Sequence, residues 1–492
     1  MYRLVLYYLL ILIVVSIFLG FFGIIPYAPE TLLFSTVLIL TACWLTNEIF
    51  SKVFAAAPNV ESVYITGLIL ALIISPVTAN NYSGIGFLIF ASVWAMASKY
   101  IFAIGKKHIF NPAAFGVAVS ALAINQSATW WVAGNLYLMP FIVLGGMLIA
   151  RKIRRFDLVF SFFAVALATI AITTTNNNFI TPITQTLLHS SFFFLAFVML
   201  TEPLTMPPSR MLRIVYGGIV GFLFAPNVHL GSFYLTPELA LLFGNIFVYI
   251  VSPKGRFMLA LAEKRELASG AYEFSFIPDR PLKFTPGQYL EWTLGHHYAD
   301  NRGNRRYFTI ASSPTEDRVA LGVKFYDPPS TYKRALMGMK INDIISASHI
   351  AGDFVMPKDK NKKLVFIAGG IGVTPFRSMA QYLIDKKEQR SVVMFYSNKT
   401  VAEIAYKDIF DRAAREAGFK MIYAVTNEQT KTPGIYNGQI NKELILREVP
   451  DYKERTFYIS GPHGMVSAFQ KTLGDMGVPS WRIKSDYFPG FA

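Results

Sequence analysis

The chain has 492 residues, 53% of them hydrophobic, with a mean hydropathy of +0.40 and a formal net charge of +15. That is too long for one domain and too apolar for every part to face water. The single cysteine, Cys43, excludes an intramolecular disulfide and also a cysteine-ligated iron–sulfur cluster, which takes about four thiolates. Cys43 sits in an apolar run and reads as a small packing residue.

The charge is uneven. Residues 1–250 hold 11 Lys/Arg and 6 Asp/Glu; residues 251–492 hold 35 and 25. A basic surface beside a membrane suits anionic lipid or anionic nucleotides. No basic module with interleaved aromatics appears, so no nucleic-acid partner is expected. No metal site is expected either.

From the N-terminus, apolar runs near 4–25, 32–50, 63–79, 84–104, 111–124, 136–150, 157–175, 187–203, 212–225 and 238–251 predict about ten membrane spans. The first run lacks a small-residue cleavage site and leads straight into the next, so it counts as a span. Several are short or broken by Pro or Gly, as in helices that end inside a protein-lined cavity. Arg3, Lys52, Lys106, Lys107, Arg151, Lys152, Arg154, Arg155, Arg210, Arg213, Lys254 and Arg256 fall at alternate loops. The positive-inside rule then predicts a multi-pass protein of the inner (plasma) membrane with both termini cytoplasmic. Ten spans divide into five and five, which inverts the second half relative to the first.

Two stretches stand out in this all-α domain, residues 1–251. His108-Ile109-Phe110-Asn111-Pro112-Ala113-Ala114 puts an Asn and a helix-starting Pro at a membrane entry. Thr201-Glu202-Pro203-Leu204-Thr205 puts a carboxylate at a helix end. Each reads either as a cap and turn or as part of a site. The motifs Phe-Asn-Pro-Ala-Ala and Thr-Glu-Pro-Leu-Thr, with ten spans, resemble the NQR2/RnfD family over residues ~55–250. These are membrane subunits of the sodium-pumping NADH:quinone reductase and the Rnf complex. The resemblance implies other membrane subunits as partners and allows FMN or riboflavin in this domain. Those subunits esterify FMN to a Thr in a Ser/Thr-Gly-Ala-Thr motif. The corresponding region here, Thr173–Pro182, has no such motif, so no attachment residue is named.

Ser252-Pro253-Lys254-Gly255-Arg256 reads as a polar hinge. Beyond it, Phe257–Phe276, Gln288–Leu294, Arg306–Ser312 and Val319–Tyr326 read as strands between Pro/Gly turns. They predict a small antiparallel β-barrel over residues 257–357, with Gly352-Asp353-Phe354 closing it. From Lys363 strands alternate with helices, which predicts an α/β domain with a parallel sheet over residues 363–492.

In Arg305-Arg306-Tyr307-Phe308-Thr309, alternation sends Arg306 and Phe308 to one face and Thr309 to the other. A guanidinium fork suits phosphate, a flat ring suits stacking, and a hydroxyl suits a flavin edge. Ser330 and Thr331 precede a helix through 332–338, where they serve either as its cap or as a phosphate-facing start. Gly369-Gly370-Ile371-Gly372-Val373-Thr374-Pro375 follows a buried strand and opens a helix. Glycines there let a dinucleotide approach the backbone. Ser460-Gly461-Pro462 forms a second glycine turn at the end of a later strand.

Together with the terminal Asp486-Tyr487-Phe488-Pro489-Gly490-Phe491, these motifs resemble the ferredoxin–NADP reductase family over residues ~257–492. The resemblance implies FAD on the barrel and NAD(P)H as substrate on the α/β lobe. By the family pattern Arg306 meets phosphate, with Tyr307 beside it. Phe308 stands where the family has Tyr, and Thr309 addresses the flavin N5. Ser460 stands where many members have Cys beside the nicotinamide. Tyr487 and Phe488 are both candidates for the aromatic that covers the flavin. The strand end Tyr396-Ser397-Asn398-Lys399 has no carboxylate for a ribose diol, so NADH and NADPH both stay open.

The resulting expectation is a membrane-bound, NAD(P)H-dependent flavin oxidoreductase. It would pass electrons through FAD to a quinone or second flavin, with ion translocation as a further hypothesis centred on Glu202. Two other classes compete. A haem-linked reductase of the ferric-reductase type needs paired axial histidines, and the membrane half offers only His108, His189 and His229 in separate segments. A transporter with a nucleotide-sensing flavin domain would bind FAD without reducing it.

Overall fold

A computed structural model describes residues 2–54, 60–104, 107–153, 155–174, 179–231, 233–252, 256–296, 300 and 304–488. Lys106, Arg154, Lys254, the 175–178 stretch and residues 489–492 lie outside the described residues. The chain divides into two compact units, 1–255 and 256–492.

The first unit is helical. Its elements are α1 Tyr2–Phe21, α2 Pro29–Val53, α3 Val60–Ile73, α4 Tyr82–Ile101, α5 Pro112–Ile124, α6 Met139–Ile153, α7 Phe156–Thr173, α8 Ile180–His189, α9 Phe192–Phe194, α10 Arg210–Phe224 and α11 Pro237–Val251. Two short hairpins, β1 Ala103–Ile104 with β2 Lys107–His108 and β3 His229–Leu230 with β4 Phe233–Tyr234, join them. Every expected apolar run carries a helix. Four of these helices are long and apolar enough to cross a membrane: α1 (from Arg3), α2, α4 and α7. The run expected at 187–203 is not one straight helix. It breaks at Ser190-Ser191 and bends by 64° between Ile180–His189 and Phe192–Met199. After α9 the helix widens into a π turn, Leu195–Met199, in which Leu200 N–H donates to Leu195 O at 2.9 Å.

Small residues set the helix contacts. Gly217 and Gly221 on α10 lie against α7, where an added Cβ would meet Leu158 O and Phe162 O at 2.6 Å. This is the close approach that a small-xxx-small pair permits. Arg213 adds a polar tie between the same helices, donating to Asp157 Oδ2 at 3.0 Å and Pro208 O at 3.1 Å. The packing order repeats along the chain. α2 packs on α3 and α4, and α4 on α5; α7 packs on α8 and α10, and α10 on α11. α1 then meets α6, and α5 meets α11.

The second unit has two lobes. In the first, β5 Phe257–Ala268, β6 Ala271–Pro278, β7 Tyr289–Thr293, β8 Arg305–Thr309, β9 Val319–Lys324 and β10 Ile344–Ala351 form an antiparallel sheet in the order β8-β7-β10-β5-β6-β9. The run expected as one strand over 257–276 is two, turned at Gly270 with φ +69°. β10 was not expected. Just past β8, Ala311 N–H donates to Ala320 O of β9 at 2.8 Å, linking the two edges of the sheet. Trp292, Phe274, Phe276 and Tyr332 fill the inside, the last from α12, Thr331–Met337.

In the second lobe β11 Leu364–Gly369, β12 Val392–Asn398, β13 Phe419–Val425, β14 Ile435–Asn437, β15 Thr456–Pro462 and β16 Ile483–Phe488 form a parallel sheet in the order β14-β13-β12-β11-β15-β16. Helices α13 Thr374–Asp385, α14 Lys407–Glu416, α15 Lys442–Glu448 and α16 His463–Asp475 connect its strands. β11 is buried at every residue, as a central parallel strand covered on both faces should be.

Candidate nucleotide and flavin site

β8 pairs with β7 so that Arg306 lies opposite Trp292 and Phe308 opposite Leu290. Both side chains meet Tyr332 of α12. The Arg306 guanidinium carbon is 5.0 Å from its ring centroid, and the Phe308 ring is 6.0 Å away. Arg306 Nη2 also donates to Asp300 Oδ1 at 3.1 Å. Tyr332 is fully buried, which pushes its hydroxyl pKa up against the opposing charge of Arg306. Tyr307 points away from this group. Its hydroxyl donates to Glu291 Oε2 at 2.6 Å, and its side chain is exposed. Thr309 is buried.

Ser330 caps α12 by accepting from Lys333 N–H at 3.3 Å. Thr331 Oγ1 instead accepts from Asp300 N–H at 3.0 Å and pairs with His296 Nε2 at 3.1 Å. Ser330 thus acts as the helix cap. Thr331 holds Asp300.

The two glycine turns come together. A Cβ on Gly372 would lie 2.6 Å from Gly461 Cα and from Ser460 O, so the two backbones touch. Gly370 adopts φ +52° and faces open space. Ser460 is fully buried, and its hydroxyl has no hydrogen-bond partner among the described residues. A buried polar atom of that kind is uncommon without a role. Thr374 and Pro375 begin α13, with Thr374 Oγ1 donating to Ile371 O at 3.3 Å. Tyr487 and Phe488 stand on β16 in register with Gly461 and Pro462. Lys399 is exposed at the end of β12.

α13 ties the lobes to each other. Ser378 Oγ donates to Ser312 O at 2.6 Å, and Arg377 Nη1 donates to Ala311 O at 3.2 Å. Arg377 also forms a two-pronged pair with Glu316, whose Oε2 accepts in addition from Ser313 N–H at 2.5 Å. Burial works against the Arg377 charge, but the Glu316 hydrogen bonds outweigh it, so the pKa is raised. Sequence reasoning passed over Tyr332, Asp300, Arg377 and Glu316, because each matters only through a tertiary contact.

The two membrane motifs also converge. Glu202 accepts from Asn111 Nδ2 at 2.8 Å and Thr205 Oγ1 at 3.2 Å, and it pairs with His108 Nε2 at 3.3 Å. Asn111 also caps α5 through Ala114 N–H at 3.1 Å, while its own N–H donates to Asn245 Oδ1 at 2.8 Å. A cavity of about 40 Å³ adjoins them, lined by Thr66, Asn111, Thr201 and Glu202 among others.

The NQR2, RnfD, RnfE family model matches residues 134–253, and the oxidoreductase NAD-binding domain matches residues 366–471. The chain thus carries one stretch that matches each of these two families. The NAD-binding match contains both glycine turns. The membrane match contains Glu202 and Asn245 and begins later than the ~55 expected. Among curated relatives, the flavohemoprotein of Oceanobacillus iheyensis is 26% identical over 234 residues, 46% of this chain and 56% of its own length. The NADPH oxidoreductase of Mycobacterium tuberculosis is 26% identical over 199 residues, 39% of this chain and 50% of its own. The chain thus spans about half the length of these relatives. A solved flavohem-like FAD/NAD-binding domain of nitric oxide dioxygenase from Vibrio cholerae is 21% identical, with a TM-score of 0.43, covering 47% of this chain and 98% of its own.

Proposed function

We propose that this protein oxidises cytosolic NAD(P)H with FAD and passes the electrons to a quinone or a second flavin in its membrane domain. FAD supplies the ability to take a hydride and release electrons singly; the protein binds, orients and excludes water. The observation that carries the reading is the buried Ser460 hydroxyl, unpartnered among the described residues, where the two glycine turns touch. A nicotinamide amide would give it a partner, and the open backbone at Gly370, with Gly369 and Gly372 packed closely behind it, would admit the pyrophosphate before Thr374 and Pro375 start α13.

On the other lobe Arg306 would exchange Asp300 for phosphate. Phe308 would lie against the ring, and Thr309 would address its N5 edge. Tyr307 would line the outer rim, Ser330 and Thr331 the pyrophosphate side, and Tyr487 or Phe488 the ring's cover. We read the antiparallel lobe as a closed barrel over 257–357 and the nucleotide lobe as 363–492. Residues 1–251 would be a ten-span inverted repeat of the inner membrane with both termini cytoplasmic; the repeated packing order α2–α4 and α7–α10 supports this. The half-buried Glu202 is where ion coupling would be sought: uptake of sodium or protons driven by NADH in vesicles should fall in Glu202→Gln.

The decisive experiment is an anaerobic flavin count on the detergent-purified chain, followed by stopped-flow reduction with NADH and with NADPH. Rapid bleaching of one FAD by either donor is expected. A colourless protein, or a flavin that neither donor reduces, would refute the assignment. Ser460→Ala should slow that bleaching while leaving the FAD content unchanged.

A further inference from the structure

Part of the outer face of the antiparallel sheet, across β10, β5 and β6, is apolar where a soluble enzyme would be polar. Ile344, Ala260 and Ile277 stand opposite one another on β10, β5 and β6, and side chains in register share a face. Met258, two residues before Ala260, joins that face. Ile277, Ile344 and Met258 are 54%, 59% and 44% exposed, and Ile341, in the turn before β10, is 55% exposed. Their neighbours in sequence, Phe257, Leu259, Phe276 and Ile345, fill the interior. The strands therefore carry apolar residues on both faces, a pattern that marks an interaction surface.

The fringe of this patch is basic. Along the row through Met258, the register runs to Ser346, Thr293 and then Arg305. Arg280 lies over the Phe257 ring at 4.8 Å and donates to Arg256 O at 2.8 Å. Lys340 is exposed beside Ile341. Two carboxylates also border it, Asp343, which accepts from Lys340 N–H, and the exposed Asp279, whose N–H donates to Met258 O at 2.9 Å, while Glu291 accepts from Arg305 and Tyr307. Met258 is seven residues on from Val251, the end of apolar helix α11, a reach of at most about 24 Å when extended. An apolar patch with a cationic border, held that close to a membrane helix, matches an interfacial lipid layer: apolar side chains among the acyl carbons, cations among anionic headgroups.

We propose that this face of the reductase unit, centred on Met258, Ile277, Ile341 and Ile344, seats on the anionic lipid surface. It would keep the flavin lobe against the bilayer rather than loose on its tether. The inference rests on the membrane-bound reductase reading and adds a lipid contact to it.

The test uses the full chain in vesicles of phosphatidylcholine, alone or with phosphatidylglycerol. Met258→Cys and Ile344→Cys carry an environment-sensitive fluorophore, and Glu443→Cys on α15 serves as control; Cys43 is buried and stays. Brominated lipid should quench the probes at 258 and 344 at least about twofold more than the control. Phosphatidylglycerol should strengthen the effect and salt should weaken it. A blue-shifted but unquenched probe would mean that protein, not lipid, covers the patch, and would overturn the proposal. A probe as wet as the control would overturn it too. Flavin reduction by NADH, recorded on the same vesicles, separates failure of the reductase reading from failure of the lipid contact.

Discussion

The clamp between the lobes yields the most quantitative prediction. Glu316 belongs to the antiparallel lobe and Arg377 to the helix that opens at the nucleotide turn, so Glu316→Ala removes one tie between the lobes proposed for FAD and for NAD(P)H. The Arg377 side chain is 7% exposed and that of Glu316 30%. Removing the carboxylate leaves a buried guanidinium that still donates to Ala311 O. Stripping one partner from a buried pair costs about 3–5 kcal/mol. Because Glu316 is partly open to water, the lower end, about 3 kcal/mol, applies. Arg377→Met removes the buried charge instead and frees a half-open carboxylate, at about 1–2 kcal/mol. The double variant should then be more stable than the sum of the single losses predicts, by about 1–3 kcal/mol. A misplacement of about 1 Å between reacting groups is enough for a hundredfold loss of rate. Glu316→Ala should therefore slow flavin reduction by about 10- to 100-fold while FAD remains bound. Thermal release of flavin fluorescence reads the stability, and stopped-flow bleaching by NADH reads the alignment. If Glu316→Ala melted and bleached like the parent, or if the two variants were simply additive, the clamp would be incidental.

Three further outcomes are expected. Arg306→Ala should weaken FAD by about 10- to 100-fold, the worth of a charged hydrogen bond of about 1.5–3 kcal/mol, seen as flavin lost on gel filtration; full retention would remove Arg306 from the site. Gly372→Ala forces a methyl to within 2.6 Å of Gly461 and Ser460; it should cost about 1–3 kcal/mol in overpacking and abolish NADH binding, whereas Gly474→Ala, in open space, should do neither. Asp451 has its pKa lowered from 3.8 to about 2, chiefly by its hydrogen bond to Arg455 and further by Lys363. A depressed carboxylate contributes stability above its unfolded pKa and loses it as pH falls through the folded value. The nucleotide lobe should therefore weaken between about pH 4 and pH 2, and Asp451→Asn should flatten that part of a melting-temperature profile.

What could be read from sequence was whatever period or punctuation writes locally. The apolar runs found the helices, and the two glycine turns announced themselves by lying between a buried strand and a helix. Period-two alternation put Arg306 and Phe308 on one face, and both meet Tyr332. It was silent on Tyr332 itself, which lies 26 and 24 residues away in sequence. β10 escaped because Ile-Ile-Ser-Ala-Ser-His-Ile-Ala mixes small polar and apolar residues without clear alternation. Its strand state comes from pairing with β5 and β7.

The membrane unit shows the same divide more sharply. Both motifs were visible, but their meeting was not, because Glu202 and His108 are 94 residues apart. Nor does composition mark the bend at Ser190-Ser191 or the π turn that follows. Yet that turn has a geometric consequence. One extra residue in a turn rotates everything beyond it by about 100° around the helix axis, and such π insertions recur at functional sites. Here Thr201 and Glu202 lie immediately beyond it. An unbroken α-helix would aim them about a quarter-turn elsewhere, away from Asn111 and His108. The carboxylate among Asn111, His108 and Thr205 is thus a product of the π turn as much as of the Thr-Glu-Pro motif, and deleting one residue from Leu195–Met199 should separate them even with every motif residue intact.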